Sequence, residues 1–252
     1  MIKIIKSELT NIEKKFNVTI FYACESGSRA WGVESTDSDY DIRFLYYHDL
    51  DWYLSLKEKK DVIERPIDEK LDITGWDLQK TLKLMRKSNP PLLEWLQSPI
   101  IYKEDLKVSR ILKETFPKYY SSKNCHFHYL HMAKGNFREY LRGEEVWLKK
   151  YFYVLRPILA CRWIEKFDMP VPMEFQILVE KTLQDSQLKK DIRKLIKRKK
   201  FGEELDLGPK IPSISDFAGS EIERLEKYHP EKVEYKDCFE LDKIFKKIIE
   251  GV

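Results

Sequence analysis

Hydrophobic positions divide the chain into two regimes. In the first sixteen residues Ile2, Ile5, Leu9, Ile12 and Phe16 recur every three or four positions between polar ones, the period of an amphipathic helix. Residues 18–24, VTIFYAC, are an unbroken run of apolar, largely β-branched and aromatic side chains and predict a buried strand. Residues 39–47, DYDIRFLYY, alternate instead. Successive strand side chains point to opposite faces, so Asp39, Asp41 and Arg43 share one face and Tyr40, Ile42 and Phe44 the other. A short helical turn over 28–31, ending at Gly32, and the polar loop VESTDS join these two strands. Further strands are expected at 61–64 and 69–77, with Pro66 breaking the chain between them. Asp77 is placed to cap a helix that ends near Asn89, before Pro90-Pro91. A short helix and a short strand follow as far as Tyr102.

From about residue 104 strand signals stop. Helical periods run over 105–116, 122–142, 145–167, 174–184, 186–201, 216–228 and 238–249, and Pro157 inside the third of these predicts a kink. The pattern reads as an α+β chain: an α/β domain over 1–103, then an all-helical domain over 104–252. At 252 residues the chain suits one large domain or two ordinary ones. There is no internal repeat and no low-complexity segment.

Composition adds limits. Hydrophobic residues, at 42%, support a core, and charged residues, at 35%, a highly charged soluble surface. No apolar run approaches the ~18 residues of a membrane span, so no membrane partner is expected. The N-terminus lacks the apolar stretch and cleavage site of a signal peptide. Cys24, Cys125, Cys161 and Cys238 are scattered and form no CxxC, which indicates neither a disulfide framework nor a zinc ribbon. A reducing cytoplasm is the expected location. The net charge of +4 divides into −1 over 1–103 and +5 over 104–252, a small bias that directs any polyanion toward the second half.

The chemistry concentrates in residues 27–44, GSRAWGVESTDSDYDIRF. Gly27 lets backbone approach a phosphate closely. Ser28 adds a hydroxyl, and backbone N–H groups after it would face an anion. Asp39 and Asp41, two apart on a strand, can converge on a hard divalent cation. A third carboxylate on a neighbouring strand would complete such a site. Asp72 is the choice, since it sits mid-strand among apolar neighbours, with Glu69, Asp77 and Asp68 as rivals. Gly-Ser pairs and Asp-x-Asp triplets are each common as turns and solvated strand faces. Their combination in a strand–turn–helix–loop–strand context is far more specific.

Gly-Ser followed at this distance by Asp-x-Asp resembles the signature of polymerase-β-type nucleotidyltransferases. More narrowly, ACESGSRAWG, DSDYDIRFLY, DITGWDLQKTLKLM, NPPLLEWLQSPIIY and KKYFYVLRPILA resemble a bacterial and phage family of RNA-repair-pathway nucleotidyltransferases of that type. The similar blocks run from about residue 23 to 165. The resemblance implies a polymerase-β-type catalytic domain with a mixed sheet, followed by a helical domain that closes the nucleotide cleft and takes part in acceptor binding. It implies that Gly27 and Ser28 bind phosphate, and that Asp39, Asp41 and, less directly, Asp72 hold Mg²⁺, with Mn²⁺ as a substitute. Glu25 and Arg29 fall inside the motif without an assigned role; Arg29 is carried as a nucleotide-binding candidate. Arg43 either contacts phosphate or pairs with the aspartates.

In WLKKYFYVLRPILA, Lys149, Tyr153 and Arg156 share a helix face, and with Lys150 they form a basic-aromatic set suited to gripping a triphosphate and stacking on a base. An amphipathic core helix with snorkelling cations explains the same pattern equally well. Cys125, His126, His128 and His131 would have to reach a metal from different faces of one helix, so packing and surface roles are expected. Residues 189–200, KKDIRKLIKRKK, read as a solvated helix face, with RNA phosphate binding as the alternative. Trp76 and Trp95 read as packing; Trp76 has base stacking as its alternative.

These readings converge on transfer of a nucleoside monophosphate from an NTP, ATP foremost, to an acceptor hydroxyl, with an RNA end implied by the resemblance. The alternatives are a small-molecule (antibiotic) or protein adenylyltransferase and, in another class, a non-catalytic nucleotide- or RNA-binding module. The base, the acceptor and the oligomeric state stay open.

Overall fold

The structure, a computed structural model, describes residues 1–65, 70–203, 205–228 and 237–251. Pro66 and the rival acids Asp68 and Glu69 lie outside the described residues. In chain order the elements begin with α1 (Ile2–Phe16), β1 (Thr19–Glu25), α2 (Gly27–Ala30), β2 (Tyr40–Tyr47), α3 (Leu50–Tyr53), β3 (Val62–Glu64) and β4 (Leu71–Asp77). Then come α4 (Leu78–Arg86), α5 (Pro90–Leu96), β5 (Ile101–Glu104), α6 (Leu106–Tyr119) and α7 (Ser122–Tyr140). The rest are β6 (Glu145–Trp147), α8 (Lys150–Phe167), α9 (Phe175–Thr182), α10 (Gln187–Lys200), β7 (Leu207–Pro209), α11 (Pro212–Glu226) and α12 (Phe239–Ile249).

These elements gather into two compact units. Within the described residues, the first comprises Met1–Ala30, Asp39–Tyr120 and Glu234–Val252, and the second Trp31–Ser38 and Ser121–Val233. The division is therefore not at residue 103. Helix α6 stays with the first unit because it packs on β1, α4 and α5 and buries Val108, Leu112 and Phe116. Helix α12 returns to the same unit by packing on α4. Residues 31–38 join the second unit, where the Phe175 N–H donates to the Trp31 carbonyl at 2.9 Å.

The first unit is built on a mixed five-stranded sheet ordered β3-β4-β2-β1-β5. Strands β2 and β4 are parallel; the other pairs are antiparallel. Helix α1 buries Ile5, Leu9 and Ile12 with Ile20, Ile42, Phe44, Tyr46 and Ile73 of the sheet, while Ile2 and Phe16 at its ends remain exposed. Ile42, Phe44 and Tyr46 alternate along β2, so Asp41 and Arg43 project from the other face. As expected, Asp77 caps α4, its carboxylate accepting from Gln79 N; Asn89, expected only as the end of that helix, caps α5.

The second unit is helical apart from one ribbon. Residues 145–149 do not extend α8. Val146 is buried and Glu145 and Trp147 are exposed, the alternation of a strand, and this segment pairs antiparallel with β7. Helix α8 passes through Pro157 and packs on α7, α9 and α11. Among the described residues no helix is long and apolar enough to cross a membrane.

Candidate active site

The turn after β1 is shaped around Asp41. Gly27 has φ +57°, in the left-handed region that favours glycine, and a Cβ there would overlap the Asp41 carboxylate. The Ser26 N–H donates to the Asp41 carbonyl at 2.8 Å. Two separate requirements, conformation and close approach, thus select glycine at this position. Ser28 follows, buried, at the start of α2. Arg29 lies over the Tyr40 ring at 3.8 Å, and its Nε donates to the Asp39 carbonyl at 3.1 Å, which ties the two halves of the motif together.

The parallel pairing of β2 and β4 sets Asp41 directly beside Asp72. Arg43 Nη2 donates to Asp72 Oδ2 at 2.7 Å and to Asp41 Oδ1 at 3.3 Å, and Nη1 donates to the Asp72 carbonyl at 3.1 Å. Of the two roles open to Arg43, the ion pair is the one observed here. Burial raises the pKa of Asp41; Arg43 opposes this, and the charges of Asp72 and Asp39 add to it. Asp39 is exposed, one residue before β2. Among the described residues no group of three or more His, Cys, Asp or Glu side chains is gathered tightly enough to hold a metal ion. The geometry is thus a pair of carboxylates joined by Arg43, with Asp39 at the exposed entry to the strand. The rival Asp77 is excluded from this cluster. It is buried at the other end of β4, capping α4 and accepting from the Tyr53 hydroxyl at 2.7 Å.

One participant is not evident from the motif. Glu25 is 0% exposed; Oε1 accepts the Asp41 N–H at 2.7 Å, and Oε2 accepts the Tyr102 hydroxyl. Burial outweighs these bonds and raises its pKa. Glu25 thereby ties β1, β2 and β5 together at the strand ends that carry the site. Its only sequence signal is a carboxylate closing an otherwise apolar strand.

In the second unit, Lys149 is exposed just ahead of α8, 5.4 Å from the Trp147 ring. Lys150 lies over the rings of Tyr140 and Tyr153 at 4.3 and 4.9 Å. Arg156 does not join them on an exposed face. It is 1% exposed, with its guanidinium over the Trp31 ring at 4.8 Å. Tyr153 meets the same indole edge-on at 5.5 Å. Trp31, inside the motif loop, thus meets both Tyr153 and Arg156.

The weaker motifs divide between packing and surface. His126 is fully buried, 3.8 Å from Glu165, and His131 is exposed. Trp76 stacks on Trp95 at 3.8 Å.

This arrangement accompanies similarity along nearly the whole chain. The protein YcgL of Bacillus subtilis (strain 168) is 47% identical over 247 residues, covering 97% of this chain and 95% of its own. The crystal structure of a nucleotidyltransferase-like protein from Exiguobacterium sibiricum 255-15 aligns at 12% identity and a TM-score of 0.32, covering 88% of this chain and 74% of that one. Residues 1–247 match the RNA repair pathway DNA polymerase beta family, and the chain belongs to that family.

Proposed function

We propose that the chain is a Mg²⁺-dependent nucleotidyltransferase that moves a nucleoside monophosphate from ATP or another NTP to a hydroxyl at an RNA end. The observation that carries this reading is the register of Asp41 beside Asp72, with the Gly27 backbone against the same carboxylate. The donor set fits the ion: two hard carboxylates already converge on one cation, the Arg43 guanidinium. Magnesium is commonly held by one or two carboxylates, with waters and substrate phosphates completing its shell. Asp41 and Asp72 would hold it, with Asp39 at the approach. The chemistry Mg²⁺ supplies when bound is charge neutralisation on phosphoryl oxygens and a lowered pKa of the acceptor hydroxyl.

The chain's own residues supply positioning. The Gly27 turn and Ser28 would seat the phosphate chain, and Arg29 would hold the turn to the strand carrying the acids. Arg43, released from the aspartates, would be free to donate to a phosphate oxygen. Glu25 fixes the Asp41 backbone. Within the second unit Lys149, Lys150 and Tyr153 stand as candidate nucleotide-binding residues, and Arg156 holds Trp31. The acceptor oxygen bonds to the α-phosphorus, the bond to pyrophosphate breaks, and the hydroxyl proton is released. The RNA acceptor is supported by the family description.

The test is incorporation of α-labelled nucleotide from each of the four NTPs, with Mg²⁺, into RNA, protein or aminoglycoside acceptors. RNA labelling from ATP with pyrophosphate release is the expected result. Asp41→Ala should lower the rate by at least roughly a hundredfold, since several kcal/mol of charge stabilisation depend on the ion. Label on another acceptor would reassign the substrate; a fully active Asp41→Ala protein would sink the metal-dependent reading.

A further inference from the structure

The far end of the sheet in the first unit carries two adjoining cavities that the acid pair does not use. Asp72 and Asp77 are five residues apart on β4, which at strand rise is about 17 Å. Beside Asp77 lies a polar cavity of about 200 Å³, lined by Lys57, Lys59, Lys83, Ser55 and Gln79. Next to it is a cavity of about 490 Å³ between α4 and α12, where Leu82, Leu241 and Phe245 present apolar surface and Lys83 and Arg86 lie at the wall. Gln79 and Lys83 line both cavities. The Tyr53 ring of the first meets the Phe245 ring of the second edge-on at 4.9 Å.

Charge at the small cavity is unbalanced. The two acids among its described lining residues already have partners: Asp77 is buried, bonded to Tyr53 and to the Gln79 N–H, and Asp61 pairs with Lys80 at 3.1 Å. Lys59 donates to the Trp52 carbonyl at 3.0 Å. Lys57 and Lys83 form no ion pair among the described residues. Close by, the hydroxyl of Tyr46 (0% exposed) lacks a hydrogen-bond partner among the described residues and lies within the field of Asp77 and Asp61. A polar chamber with surplus cations therefore adjoins an apolar one of the size small ligands occupy. Among the described residues Asp242 is the one acid lining the larger chamber.

We propose that this pair of cavities is a second nucleotide site, taking the phosphate of a nucleoside monophosphate among Lys57, Lys59 and Lys83 and its base against Leu82, Leu241 and Phe245.

Cys238 lines the larger cavity and is partly exposed, while Cys24, Cys125 and Cys161 are buried. In the native full-length protein, N-ethylmaleimide therefore reports on Cys238. AMP at about four times its Kd should slow this alkylation roughly fivefold, as expected from occupancy. The Lys57→Ala/Lys83→Ala variant should lose the protection, and Asp41→Asn should keep it, so loss of the catalytic reading would leave this site untouched. An alkylation rate indifferent to AMP would overturn the proposal, as would equal protection in the lysine variant. Equal protection by ribose 5-phosphate would overturn the base assignment, and loss of protection in Asp41→Asn would overturn the separation from the acid pair.

Discussion

A lysine that is 9% exposed as a residue has exchanged much of its water for whatever the fold supplies, and Lys199 receives the Phe152 ring at 5.0 Å and the field of Glu34. Burial lowers its pKa from 10.5 to about 8; Glu34 opposes the shift and Lys149 adds to it. Between those two values the unfolded chain binds the extra proton, so the stability contributed by Lys199 rises with pH across that window. Below it the full cost of the charged form remains, on the order of 3 kcal/mol at most. Lys199→Met should therefore be more stable than the parent at pH 7 by up to about 3 kcal/mol in urea melts. The difference should shrink toward pH 10.5, and a gap independent of pH would refute this account. In α10, Lys199 is buried on the same side as Ile192 and Ile196. The solvated-face reading of 189–200 holds for Lys190, Lys194, Lys197 and Lys200, which are exposed. It fails for Lys189 and Lys199, because a basic run does not show which of its members lie on the apolar stripe. Glu25 was hidden for the opposite reason, since one acid ending an apolar strand has no periodicity to betray its burial.

At the scale of elements, the pairing of β2 with β4 does two things at once. It aligns Asp41 with Asp72 and, three residues on, Phe44 with Gly75. A Cβ on Gly75 would overlap the Phe44 ring, which is fully buried against the α1 cluster and has no room to yield. Gly75→Ala should therefore cost about 1–3 kcal/mol of stability, as overpacked cores do, and should loosen the Asp41–Asp72 alignment that the proposed activity requires. The urea midpoint and NTP incorporation would both fall; an unchanged midpoint would show that the Phe44 ring yields without penalty. Strands as regular as β1 and β2 were legible because burial imposes alternation or an unbroken apolar run. The three-residue β6 and β7 and the four-residue α3 are too short to carry a period, and β6 was read as the first turn of the helix that follows it.

At the scale of the whole molecule, chain order and compact units part company. Past residue 104 helices predominate, with the β6–β7 ribbon as the exception, yet α6 and α12 belong with the sheet, and residues 31–38 belong with the helices. Local periodicity reports what kind of element a segment forms and says nothing about which core its apolar face joins. A fragment of residues 1–103 would consequently lose Val108, Leu112 and Phe116 of α6 and Leu241, Ile244 and Ile248 of α12, all buried. At roughly 1.5–3 kcal/mol for each buried side chain, the missing burial amounts to about 9–18 kcal/mol, comparable with or larger than the 5–15 kcal/mol that typically holds a domain folded. The fragment should show no cooperative melt and should bind a hydrophobic dye. Extending it to residue 120 and linking residues 237–252 should restore part of the transition. A cooperative melt from residues 1–103 alone would mean that the sheet and α1 suffice, and that α6 and α12 are peripheral to the unit carrying the acids.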